Sequence, residues 1–194
     1  MKENFEKSLN FVLESEGCFS NIPQDKGGPT SQGITLNTLM EYHKIFDYGD
    51  MDNDGDVDIN DIKLLDKPEE VAPIYKRRYW DVIKGDNLPT GIDYVTFDSA
   101  VNHGPRNAGI FIQRAANRYQ CNLIIDGKIG DLTLRCVNTI GADLLIAETL
   151  RERDIFYNMI VACHPEQEMF IRGWRNRLNH VAINARRLMK GEII

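Results

Sequence analysis

A mainly α-helical fold is predicted for this 194-residue chain from three observations. Apolar residues recur at helical spacing in several segments, strand signals are scarce, and turn-dense stretches rich in Gly, Pro, Asn and Asp separate the helical segments. The first element is an amphipathic helix from Asn4 to Glu16, with Phe5, Leu9, Val12 and Leu13 on one face and Gly17 as its stop. Thr35 then caps a helix through about Phe46, and a short helix lies near Asp61 to Leu65. Pro68-Glu69-Glu70 opens another, with Val71, Ile74, Tyr75 and Val82 on its inner side. Thr90 to Val101 comes next, closed by Gly104-Pro105, and then Arg106 to Tyr119. Segments Gly130 to Val137, Ala142 to Ala162 and Glu166 to Lys190 complete the helices. Leu123-Ile124-Ile125 reads as a turn-bounded apolar patch. A formal division falls near Gly91, giving regions 1–90 and 91–194. Helices continue across it without a linker, so the halves are expected to pack together around a cleft.

Glu16 stands out because a carboxylate occupies the middle of the apolar stripe, whereas Glu14 falls on the opposite side. Desolvation and the negative end of the helix dipole both favour its protonated form, so its pKa is expected to rise. A carboxylic acid protonated near neutral pH suits a glycosidase general acid. The ordinary alternative is a solvated or ion-paired residue in a last helical turn. The adjoining loop, from Gly17 to Thr35, supplies Asp25 as a second carboxylate and Thr30 and Ser31 as hydroxyls able to hold a water. These are the parts needed to break a glycosidic bond, although Asp25 and the hydroxyls could equally satisfy local turns.

Here the residues carry a resemblance. Glu16-Gly17-Cys18-Phe19, then Asp25-Lys26-Gly27-Gly28-Pro29-Thr30-Ser31, then Gly33-Ile34-Thr35 resemble the signature of the glycoside hydrolase family 108 muramidases. That signature runs Glu-Gly-Gly-Tyr, Asp-Pro-Gly-Gly-Ala-Thr-Asn and Gly-Ile-Thr. Cys18 replaces the second Gly and Phe19 replaces the Tyr, which removes one hydroxyl that could bind substrate. The resemblance continues through Tyr75 to Asp81, Leu88-Pro89 and Asp98-Ser99-Ala100-Val101-Asn102-His103-Gly104. It extends to Asp126-Gly127-Lys128-Ile129-Gly130, which is similar to the family's peptidoglycan-binding region, and to Phe170 through Arg177 in its terminal helix. It implies a lysozyme-like helical fold with Glu16 as general acid; Asp25, with Thr30 or Ser31, would stabilise the developing charge or hold the water. Phe19, Ser31, Gln32, Asn102 and His103 would then contact substrate, an ordinary surface histidine being the equal alternative for His103. The order of acid, carboxylate and hydroxyl is also similar to that of phage-type lysozymes.

Between Asp50 and Asp61 the chain matches the EF-hand calcium pattern. Acidic residues stand at loop positions 1, 3, 5 and 12 (Asp50, Asp52, Asp54 and Asp61), with Gly55 at position 6 and Val57 at position 8. Asp56 would offer its backbone carbonyl, Asp58 a water-mediated contact, and Asp61 the last carboxylate. Asp61 in place of Glu is more like the calcium loops of dockerin modules. A structural, non-catalytic calcium ion is expected, the alternative being a solvated acidic turn. The loop's six Asp match the chain's formal net charge of −6, so the remainder is close to neutral. The acidity therefore reports an ion site rather than a cationic partner, and nothing points to nucleic acid. The basic tail (Arg172, Arg175, Arg177, Arg186, Arg187 and Lys190) is either a face for an anionic wall polymer or a set of ordinary surface ion pairs.

At 42% hydrophobic content the chain can bury a full core, and no apolar run is long enough to span a bilayer. The start, Met1-Lys2-Glu3-Asn4, lacks the features of a cleavable signal. The expectation is a monomer made in the bacterial cytoplasm that reaches the wall after cell lysis or by holin-type export. Cys18, Cys121, Cys136 and Cys163 show no metal-site spacing and are read as reduced thiols. A thiol protease pairing Cys18 with His43 or His103 has no local support. The function predicted is hydrolysis of the β-1,4 bond between N-acetylmuramic acid and N-acetylglucosamine in peptidoglycan glycan strands. A non-catalytic wall-binding or secretion-related protein and a lytic transglycosylase are the alternatives.

Overall fold

The computed structural model describes residues 2–15 and 29–192, and its architecture is mainly helical. The chain divides into two compact units, one of Leu9–Lys76 and one of Met1–Ser8 with Arg77–Ile194. Gly91, where the sequence suggests a formal division, lies inside the second and caps a helix there.

Helix α1 spans Lys2–Leu13, and Glu14 and Ser15 continue it only as a turn. The helix therefore stops short of Glu16, which lies outside the described residues. Its Leu9 and Val12 are buried in the smaller unit. Strands β1 (Thr30–Ser31) and β2 (Ile34–Thr35) pair antiparallel, with Ser31 opposite Ile34. Gln32 and Gly33 both take positive φ, 46° and 74°, the geometry a two-residue hairpin turn demands. Thr35 caps helix α2 (Leu36–Phe46), its hydroxyl accepting from the Thr38 amide at 3.1 Å. Helix α3 (Ile59–Leu64) starts two residues earlier than the sequence suggests, because Asp58 and Asp61 form a reciprocal capping box. Helix α4 (Pro68–Tyr75) begins on proline, and the Glu70 carboxylate accepts from the amides of Asp66 and Lys67, both at 2.9 Å. Ile34, Leu39, Ile62, Leu65, Val71 and Ile74 fill the small core.

Past α4 the backbone widens to a π-helical turn over Lys76–Trp80. That change of winding corrects one expectation. Val82, read as inward-facing on a continuous helix, is 55% exposed, while Trp80 and Ile83 are buried instead. In the larger unit Trp80 meets Phe5 and Phe97 edge-on, with ring centroids 5.4 Å away in each case. A Cβ on Gly85 would fall inside the Trp80 indole, so only glycine fits there.

Helix α5 (Ile92–Asn117) is the backbone of this unit. Gly104, at φ 79° and ψ 153°, breaks it just before Pro105, which reproduces the predicted stop and restart. Helices α6 (Asp131–Val137), α7 (Ala142–Cys163) and α8 (Ile171–Lys190) complete the unit. The last is shorter than predicted, since Pro165–Phe170 forms a separate 3-10 turn. Cys121 and Cys136 are joined in a disulfide with Cα atoms 6.0 Å apart, which corrects the expectation of reduced thiols for that pair. Cys163 is free and exposed. Of the basic tail, Arg175 pairs with Asp154 at 2.8 Å and Arg177 with Asp98 at 2.8 Å, so part of it serves internal ion pairs. Among the described residues, no helix is long and apolar enough to cross a membrane.

Candidate active site

Of the residues expected to do chemistry, Glu16 and Asp25 lie outside the described residues, as do Phe19 and Cys18. The structure does place the hairpin next in the chain. Thr30 is half-buried at the start of β1. Ser31 is 3% exposed and donates its hydroxyl to the Leu65 carbonyl at 2.7 Å. That bond ties β1 to the end of α3 and commits the Ser31 hydroxyl to the fold. Gln32 is half-buried in the turn, and its backbone carbonyl accepts from the Tyr75 hydroxyl at 2.8 Å. Two tertiary hydrogen bonds thus hold the hairpin that presents Thr30.

Asn102 and His103 stand on the last turn before the α5 kink, in the larger unit. Beneath them lies a buried ionic network. Asp98, 1% exposed, pairs with Arg153, which is itself wholly buried, and with Arg177 through Nε at 3.0 Å and Nη2 at 2.8 Å. Burial alone would push the Asp98 carboxyl up, but the two guanidiniums outweigh it and hold it below the usual carboxylate range. With its amide oxygen turned toward Arg177, Asn102 accepts from that guanidinium at 2.6–2.9 Å. The Arg153 Nε donates to His103 Nε2 at 3.1 Å and to the Tyr157 hydroxyl at 2.9 Å. Arginine can only donate, so His103 Nε2 must be the acceptor and its proton sits on Nδ1. Burial, and then the Arg153 charge, push the His103 pKa down to about 3. His103 is therefore a neutral imidazole at physiological pH, suited to hydrogen bonding and not to donating a proton as an imidazolium.

Asp98, Arg153, Arg177 and Tyr157 are absent from the set that sequence reasoning selects. A signal did exist: Thr149, Arg153 and Tyr157 recur every four residues on the inner face of α7. An arginine at such a position requires a buried anion, but the sequence does not say which one.

The acidic loop is described in full. The Asp50 carboxylate accepts from the amides of Asp54 at 3.1 Å and Gly55 at 3.0 Å, and Asp54 accepts from the Asp56 amide at 3.1 Å. Asp61, 1% exposed, accepts from the amides of Met51 at 2.5 Å and Asp58 at 2.7 Å. Carboxylate oxygens gather in two groups, Asp50 with Asp52 and Asp54, and Asp56 with Asp58 and Asp61, each with ligand atoms within 4.8 Å of one another. The Asp54 charge, then desolvation, raises the pKa of Asp56; desolvation, then Asp54, raises that of Asp52. An all-oxygen donor set of this kind suits a hard divalent cation.

Comparison with known proteins adds to this geometry. Residues 9–104 match the model of the family described as Glycosyl hydrolase 108, and residues 107–179 match one described as Predicted Peptidoglycan domain. The two matches meet at the Gly104-Pro105 break in α5. No curated protein matches the chain significantly. Among solved structures, that of SagA from Brucella abortus superposes with a TM-score of 0.75 at 30% identity, covering 97% of this chain and 97% of that one. The first match contains Glu16 and the hairpin, the second comes after it in the same chain, and the likeness to SagA runs nearly end to end. The chain is a member of the glycosyl hydrolase 108 family.

Proposed function

We propose that this protein is a muramidase that hydrolyses the β-1,4 bond between N-acetylmuramic acid and N-acetylglucosamine in peptidoglycan. One observation carries the reading: a glycosyl hydrolase 108 match and a peptidoglycan-domain match occur in tandem on one chain. Glu16 is the residue of this chain that corresponds to the family's acid, and it donates a proton to the leaving glycosidic oxygen. The transition state has oxocarbenium character, and Asp25 stabilises that charge or, with Thr30, holds the attacking water. The Ser31 hydroxyl donates to the Leu65 carbonyl, which commits that proton to the fold. Asn102 and neutral His103 offer hydrogen bonds to substrate from a rigid base of buried ion pairs.

General-acid assistance contributes about 10²–10⁴-fold. Glu16→Gln is therefore expected to lose activity by at least that order while keeping its circular dichroism spectrum. Mass spectrometry of digested muropeptides checks the chemistry: reducing-end saccharides are expected, and anhydro-muropeptides would instead mean transglycosylation. A Glu16→Gln protein that clears walls as well as wild type would sink the assignment.

The acidic loop, on this reading, holds one structural calcium ion through Asp50, Asp52, Asp54, the Asp56 carbonyl and Asp61. The protein acts on the wall after release or export from the cell, and the Cys121–Cys136 disulfide supports a working location outside a reducing cytosol.

A further inference from the structure

Between α5 and α6 lies a groove of about 740 Å³ within the segment matched as a peptidoglycan domain. Its lining joins the Cys121–Cys136 disulfide to aliphatic and charged side chains. The floor is built in advance. The Gln113 side chain, 1% exposed, donates to the Asp126 carboxylate at 2.9 Å and the Lys128 carbonyl at 3.0 Å, and accepts from the Gly127 amide at 2.9 Å. Asn117 bonds both the amide and the carbonyl of Leu123, at 2.7 and 2.8 Å. A Cβ on Gly109 would strike the Gly127 backbone, so the loop lies directly against α5. The disulfide then fastens the loop's start to α6.

The lining states what the groove can hold. Among the described residues it contains no aromatic ring, so these offer no flat face for the C–H side of a sugar. It does offer aliphatic surface, with Ile124 82% and Leu132 68% exposed. Its acids are committed: Asp126 is held below the usual carboxylate range by the Gln113 bond and then the Lys128 amide, and Asp131 pairs with Lys84 at 3.1 Å. Lys128 and Arg135 make no salt bridge among the described residues. Exposed aliphatic carbon beside these two cations complements a short peptide with methyl side chains and carboxylates.

We propose that this groove binds the peptide stems of peptidoglycan, through Arg135 and Lys128 on stem carboxylates and through Ile124 and Leu132 on the alanyl methyls. The proposal rests on the reading that peptidoglycan is the substrate. The stems anchor the enzyme while the glycan strand is cut elsewhere, so binding and hydrolysis use different chemical parts of one polymer.

The test uses the full chain and a soluble stem tetrapeptide, which a glycosidase cannot cleave. Calorimetry is expected to show binding to wild type and at least tenfold weaker binding to Arg135→Glu and to Leu132→Asp, two exposed positions whose change leaves the core intact. In parallel, the Glu16→Gln chain is expected to sediment with intact sacculi and at least tenfold less with sacculi whose stems an amidase has removed. Equal retention on stripped glycan, or unchanged tetrapeptide binding by both groove variants, overturns the proposal. The two readings fail separately. Stem binding without release of reducing ends would remove the muramidase and leave the groove; reducing ends without stem binding would remove the groove alone.

Discussion

Arg153 is wholly buried in the larger unit: Asp98 takes the ion pair, His103 and Tyr157 take the Nε proton, and Nη2 has no hydrogen-bond partner among the described residues. Replacing it with leucine leaves the Asp98 carboxylate buried with Arg177 as its remaining ion-pair partner among the described residues. Removing one partner of a buried pair typically costs about 3–5 kcal/mol, so Arg153→Leu should show a loss of that order in urea denaturation. His103 reports the same site through pH. Its folded pKa lies at about 3, against about 6.5 in an unfolded chain. Between those values the unfolded state binds more protons. The stability it contributes is thus complete above about pH 6.5 and declines as pH falls toward 3, by up to about 1.4 kcal/mol per unit. Denaturation midpoints measured across that window should show the slope, and His103→Gln should flatten it. The Asp98 carboxyl, whose pKa is lowered, contributes stability that is complete above the ordinary carboxylate value and is lost as pH falls below it.

At the scale of elements, the connection between α5 and α6 has no regular structure, so side-chain bonds and the disulfide hold its form. The cysteines are 15 residues apart, and closing a loop of that length is worth about 3 kcal/mol in the chain-entropy view. Cys121→Ser, or reduction of wild type, should lower stability by up to that amount in a chemical melt. A preparation whose melting is indifferent to reductant would contradict the pairing. The turn after α4 shows the limit of periodicity as a guide. One π-helical turn rotates the residues beyond it, so Trp80 and Ile83 go inside and Val82 goes out. Helical spacing places Val82 inside, and only the winding of the backbone turns it out.

For the whole molecule, a formal charge of −6 is a statement about one loop. If calcium occupies it, two of those charges are cancelled, and binding to the folded state alone raises stability by about 2.7 kcal/mol at a hundredfold excess over Kd. A chelator should therefore lower the Tm of protein prepared in calcium, and calorimetry should record uptake of one ion. No uptake at millimolar calcium would return the loop to an ordinary acidic turn.

Much of this architecture is legible in the sequence, because the signals are local. The Thr35 cap, the Pro68 start and the Gly104-Pro105 break in α5 each depend on a few neighbouring residues. The spaced motifs around Glu16 and Asn102 are local in the same sense, and with them the family was readable. The starts of α3 and α8 were less so, since a capping box and a 3-10 turn shift a helix start without changing the apolar pattern. What only the tertiary structure decided are the pairings between distant positions. Nothing near Ser31 announces Leu65, and nothing near Cys121 selects Cys136 over the other cysteines. Arg153 and Asp98 lie 55 residues apart. Such partners are chosen by where helices pack, and a buried charge or thiol is satisfied by whatever the packed neighbour brings.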